Sequence, residues 1–137
     1  MIIYSIKVIE HCMSPRNAYS MPDADAVGSY GDPSCGDYLD MYIKVNDGNI
    51  EEISYLVFGC SASIATSSMT SVMAEGKSLD EALKITEEDV IFGLDGLPDD
   101  KIHCSNLAVS ALHNAINNYL NKNKMEDSYE NSNSSKR

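Results

Sequence analysis

The sequence predicts an α+β domain: a small antiparallel sheet of about three strands with helices packed on one face, ending in a polar C-terminal tail. Three observations carry this. Apolar residues alternate on both sides of an Asp-Gly turn in the middle of the chain. After Gly59-Cys60 the apolar period becomes helical. The 137 residues, 43% of them hydrophobic, suffice for one core but not for two ordinary domains. Strands followed by helices place the helices together against the sheet.

The elements follow in order. Ile3, Ile6, Val8 and Ile9 form a short apolar pattern, read as a turn or two of helix that ends before Pro15. Residues 21–37 read as loop, punctuated by Pro22, Gly28, Gly31, Pro33 and Gly36. Leu39, Met41, Ile43 and Val45 alternate with Asp40, Tyr42 and Lys44, giving a strand over 38–45. Asn46-Asp47-Gly48-Asn49 is a hairpin turn, because Asp-Gly supplies the positive φ that tight hairpins need. Ile50 to Phe58 is the return strand, and a third strand is expected around 2–8 or 26–32.

From Ala62 to Glu75 a helix is expected on Ala65, Met69, Val72 and Met73, stopped by Gly76. Ser78-Leu79-Asp80-Glu81 is a capping box that opens a short helix to about Ile85. Thr86-Glu87-Glu88-Asp89 is another helix start, its acids favoured by the helix dipole. Leu97-Pro98-Asp99-Asp100-Lys101 is a break. The last helix is expected from about Cys104 to Asn121, with Leu107, Ala108, Ala111, Leu112, Ala115 and Ile116 as its core stripe. The domain is thus expected to span 1–120, and 121–137, rich in Asn, Ser, Lys and Glu, to be a disordered polar tail.

Ten Lys and Arg face 21 Asp and Glu, a net charge of −11; residues 121–137 carry +1, leaving −12 on the rest. An acidic surface repels phosphate backbones, which argues against nucleic acid and favours a partner with a basic patch. No apolar run approaches the roughly 18 residues of a membrane span. Met1 to His11 has no basic region followed by an apolar stretch and a cleavage site. A cytoplasmic protein without a membrane partner is expected.

The cysteines are Cys12, Cys35, Cys60 and Cys104. In a reducing compartment four cysteines seldom mean two disulfides. Taken singly, each reads as a small buried hydrophobe. Three of them share a setting that packing does not require. Cys35 lies in a loop just before a strand, Cys60 at a strand-to-helix junction and Cys104 at the start of the last helix. Helix N-termini stabilise thiolate, the form that binds metal or attacks sulfur. Asp37 lies two residues from Cys35, and His103 adjoins Cys104. Three thiolates with one harder ligand suit Zn2+ or an iron–sulfur cluster.

Six segments carry a resemblance. They are Lys7-Val8-Ile9-Glu10-His11 with Pro15-Arg16-Asn17; Cys35-Gly36-Asp37; Ile43-Lys44-Val45-Asn46-Asp47; Gly59-Cys60-Ser61-Ala62; Gly76-Lys77-Ser78-Leu79-Asp80-Glu81-Ala82; and Lys101-Ile102-His103-Cys104-Ser105. In this order the chain resembles the U-type iron–sulfur cluster assembly scaffolds, the IscU family and the N-terminal domain of NifU, from about residue 4 to 120. The resemblance implies an IscU/NifU-like fold with cofactor and metal ligands at Cys35, Asp37, Cys60, His103 and Cys104. It leaves open whether Asp37 or His103 is the fourth ligand.

The function so implied is assembly of a transient 2Fe–2S cluster by a scaffold, a carrier and not a turnover enzyme. Sulfur comes from a cysteine desulfurase, with Cys35, Cys60 and Cys104 as the persulfide-accepting candidates. Iron and electron donors complete the cluster, acceptor apoproteins receive it, Zn2+ binds in the cluster-free form, and a homodimer is one of the states left open. The alternative is a zinc-dependent persulfide sulfurtransferase of SufU type. That branch usually carries an insertion between its second and third cysteines, for which the 44 positions from Cys60 to Cys104 leave no room. Two departures are visible. The family's Leu-Pro-Pro-x-Lys motif, read by a dedicated chaperone, is Leu97-Pro98-Asp99-Asp100-Lys101 here, so chaperone recognition does not carry over. Cys12 stands where many relatives have Tyr, and reads as a buried or incidental thiol.

Overall fold

The central hairpin forms as the Asp-Gly signal requires. Asp47 and Gly48 take φ of 55° and 75°, and the turn joins β2 (Asp37–Asn46) to β3 (Asn49–Phe58). The computed structural model describes residues 3–32, 34 and 36–135, with side chains through 123. The third strand is β1 (Ala26–Asp32), the second of the two expected positions, and the antiparallel order is β1-β2-β3. Residues 3–5 lead instead into helix α1 (Ile6–Met13), capped by the Ser5 hydroxyl, which accepts from the Val8 N–H at 3.0 Å. Of the apolar pattern around α1 only Val8 is buried, and Ile6 is 85% exposed.

Cross-strand register sets Met41 opposite Tyr55 and Ile43 opposite Ile53. With Leu39 these side chains are fully buried, beneath α2 (Ser61–Ala74) and α5 (His103–Ser135). The opposite sheet face keeps Val27, Leu56 and Phe58 exposed.

Two glycines read as loop punctuation belong to β1. A Cβ on Gly28 would fall 2.1 Å from the Ala115 nitrogen and 2.3 Å from the Ala111 oxygen. The backbones of α5 and β1 therefore touch, which requires glycine on the strand and alanines on the helix. Asn114 and Asn118 lie one turn apart on α5. Their Nδ2 atoms donate to the Ser29 and Val27 carbonyls at 2.9 and 2.8 Å.

Helix α2 differs from its expected amphipathic face. Val72 is 43% exposed, whereas Ser63, Thr66, Ser67, Ser68, Thr70 and Ser71 are buried. Their hydroxyls resolve the cost of burial. Ser67 donates to the Ser63 carbonyl and Thr70 to the Thr66 carbonyl, both at 2.7 Å, and Ser71 to the Ser68 carbonyl at 2.7 Å. This polar face packs between α1 and α5. The Ser68 hydroxyl lies 2.7 Å from His11 Nδ1 and accepts from the Arg16 N–H at 3.0 Å.

The expected capping box forms at Ser78/Glu81 on α3 (Leu79–Leu83), and the helix start expected at Thr86 is also a capping box, Thr86/Asp89 on α4 (Glu87–Gly93). The break at Leu97-Pro98 leads into a 3-10 turn over Asp99–Lys101, directly before α5. Helix α5 continues to Ser135, beyond the expected end near Asn121. No Gly or Pro follows Pro98 to stop it. Among the described residues no helix is long and apolar enough to cross a membrane.

Candidate functional site

Three elements end at one pole of the domain: β2 begins there with Asp37, β3 runs out into Gly59-Cys60, and α5 begins with His103-Cys104. Cys60 is the N-cap residue of α2 in extended backbone conformation, and Cys104 lies in the first turn of α5. Both thiols thus occupy the helix starts expected for them. The two sulfurs are 3.7 Å apart. His103 Nε2 is 3.7 Å from the Cys104 sulfur and 4.0 Å from an Asp37 carboxylate oxygen. Four of the five expected site residues therefore form a continuous string; the fifth, Cys35, lies outside the described residues.

Burial along the string is graded. Cys104 is 1% exposed, while the His103 and Asp37 side chains are 64% and 45% exposed. Cys104, His103 and Asp37 line a cleft of about 270 Å³ together with Tyr30, Ser63 and Leu107, and the Cys60 sulfur lies 3.7 Å from Cys104.

The two thiols differ in acidity. Burial opposes ionisation of Cys60, but bonds from the Ser63 N–H and hydroxyl, from Cys104 and from the Ala62 N–H outweigh it and hold Cys60 below its ordinary value. Cys104 is pushed up to about 11, by burial first and also by the Cys60 and Asp37 charges, although the Ser63 hydroxyl works the other way. Cys60 is the more acidic thiol of the pair, and Cys104 the less acidic.

The spacing fits metal coordination in part. Two thiolates bound at ~2.3 Å to one tetrahedral ion lie ~3.8 Å apart, close to the 3.7 Å between Cys60 and Cys104. The 4.0 Å between His103 and Asp37 is wider than the ~3.4 Å of two such N and O ligands. Among the described residues no three His, Cys, Asp or Glu side chains close on a single point.

Three neighbours were not singled out from the sequence. Ser63 places its hydroxyl 3.7 Å from the Cys60 sulfur. Lys101 is held above its ordinary value chiefly by the charge of Cys60. The Tyr4 hydroxyl is raised by burial and then by Cys60. Only position pointed to them: Ser63 follows Cys60, and Lys101 precedes Cys104, by three residues.

These features define a class, small α+β domains that carry cysteine thiols at helix starts around one sheet end, with a carboxylate and an imidazole beside them. The chain belongs to the NifU-like N-terminal domain family, whose model matches residues 3–126. It is 54% identical to the iron–sulfur cluster assembly scaffold protein IscU 1 of Archaeoglobus fulgidus over 121 residues, 88% of this chain and 79% of that protein. It is 45% identical to the IscU scaffold protein of Escherichia coli over 123 residues, 87% of this chain and 95% of that one. The N-terminal part of a NifU-like protein from Brucella abortus, 18% identical, has the same fold, with a TM-score of 0.66 over 85% of this chain and 94% of that structure.

Proposed function

We propose that this protein is a scaffold on which a transient 2Fe–2S cluster is assembled and from which it is handed on. The observation that carries the reading is the pair of thiols 3.7 Å apart, of which Cys104 lines one cleft with His103 and Asp37. The names of its relatives, iron–sulfur cluster assembly scaffold proteins, support it. Here the cluster is cargo. Cys35, Cys60 and Cys104 supply three thiolates and accept persulfide sulfur, and Asp37 or His103 supplies the fourth ligand. A carboxylate or imidazole is a weaker partner for iron in a sulfide cluster than thiolate, so this corner exchanges most readily.

Cys35, Cys60 and Cys104 each attack a desulfurase persulfide as the thiolate, which is the attacking form. The partners follow from the chemistry: a cysteine desulfurase, donors of iron and electrons, and acceptor apoproteins in the cytoplasm. Net charge of −12 over 1–120 favours a basic face on the desulfurase, with affinity falling as salt rises. Zn2+ occupies the same donors in the cluster-free form. The assembly domain is 1–120, and 121–137 are dispensable for it.

Anaerobic reconstitution with desulfurase, cysteine and ferrous iron tests this. The expected result is a coloured protein containing iron and acid-labile sulfide in equal amounts, lost in Cys35→Ser, Cys60→Ser and Cys104→Ser and kept in Cys12→Ser. Tight zinc with persulfide turnover and no cluster would instead establish the sulfurtransferase. Asp37→Ala is expected to assemble cluster but release it more slowly to an apo-ferredoxin; release at the wild-type rate would leave Asp37 as a structural residue.

A further inference from the structure

Ser63 differs from the buried α2 hydroxyls that bond back to their own helix. Ser67, Thr70 and Ser71 each donate to a carbonyl of their own helix. Ser63 is the third residue of α2, so the residue four positions back, Gly59, is outside the helix. Its hydroxyl lies instead 3.7 Å from the Cys60 sulfur, fully buried at the base of the cleft. Gly59 holds the space for this arrangement. A Cβ there would fall 2.7 Å from Ser63 Oγ and 2.9 Å from Asp37 Oδ1.

We propose that Ser63 is a positioning residue of the cluster site, donating its hydroxyl proton to the Cys60 sulfur when that sulfur holds iron. The inference rests on the scaffold reading of the site. A metal-bound thiolate has no proton to offer, so the hydroxyl is the donor. A hydrogen bond withdraws electron density from the sulfur, favours the reduced cluster and raises its potential. The same bond holds Cys60 in one orientation toward Cys104.

The test compares the full-length wild type, Ser63→Ala and Ser67→Ala. Ser67 is the control, because its hydroxyl is buried on the same helix but donates to the Ser63 carbonyl at 2.7 Å. Alanine favours the helix, so both variants fold. Each protein is loaded with Co2+ as a probe, and the thiolate-to-metal charge-transfer band is recorded; each is then reconstituted and titrated spectroelectrochemically. In Ser63→Ala the cobalt band moves to lower energy. At the wild-type midpoint its ratio of reduced to oxidised cluster falls about threefold to tenfold, a tenfold change being ~59 mV for one electron. Ser67→Ala coincides with wild type. An unchanged band and ratio in Ser63→Ala, or an equal shift in Ser67→Ala, overturns the inference while leaving the scaffold reading intact. A wild type that takes up neither cobalt nor cluster overturns both.

Discussion

Replacing Gly28 by alanine is expected to separate α5 from the sheet. The new methyl would lie 2.1 Å from the Ala115 nitrogen, 2.7 Å from the Ala115 Cα and 2.3 Å from the Ala111 oxygen. All three are backbone atoms, so no change of rotamer relieves the clash. Reaching ordinary contact near 3.4 Å requires α5 to retreat by about 1.3 Å at Ala115. Overpacking of this kind costs ~1–3 kcal/mol. The retreat also stretches the Asn114 and Asn118 bonds to β1, each worth ~1 kcal/mol. The sum is ~3–5 kcal/mol, a large part of the ~5–15 kcal/mol that holds a domain together.

At ~3–4 °C per kcal/mol for a chain of this length, the unfolding midpoint should fall by ~10–20 °C. Circular dichroism melts supported by urea titration measure it. Because α5 carries His103 and the sheet carries Asp37, Zn2+ affinity should fall at temperatures where the variant is still folded. A midpoint within ~2 °C of wild type would refute the close approach of α5 to β1 and the reasoning built on it.

Gly59→Ala should damage the site more than the fold. Its methyl displaces Ser63 and Asp37 by about 0.5 Å, the tolerance of a built site, and Zn2+ affinity measured by chelator competition is expected to fall ~10–100-fold; unchanged affinity counts against the geometry. His11 is held below its ordinary value of about 6.5, first by burial and then by Arg16. Its folded-state pKa is the depressed one, so the unfolded chain takes up the proton first as pH falls. The stability this gives is complete above pH ~6.5 and is lost as pH drops through the folded value. Urea unfolding at pH 7.5 and 5.5 should show that loss in wild type, and a smaller one in His11→Gln; equal losses would exclude His11 as its source. Removing both Asn114 and Asn118 as alanines frees two carbonyls of an edge strand and should cost ~2 kcal/mol. Light scattering should show more self-association than in wild type, and equal association and stability would refute a guarding role.

Features that depend on near neighbours in the chain were legible from the residues. Asp47-Gly48 forms the hairpin because two adjacent residues there tolerate positive φ. Ser78 and Thr86 cap helices because the reciprocal acid stands three residues on. Cys60 and Cys104 lie at helix starts because the apolar period changes beside them, and this local placement made them candidates. Features that depend on distant partners were not legible. Gly28 read as loop because a glycine looks alike at a turn and at a close approach, and only α5, over 80 residues away, distinguishes them. The burial of the α2 serines was not legible because hydropathy ignores bonds back to the helix's own carbonyls. Ser63 and Lys101 joined the site only when α2 and the turn before α5 met at the thiols. The sequence by itself determined the elements, their caps and the reactive side chains, since turn chemistry and periodicity act over a few residues. The tertiary structure alone decided which thiol is the more acidic and which hydroxyl lies against it, because burial and hydrogen bonding exist only after β3, α2 and α5 have packed together.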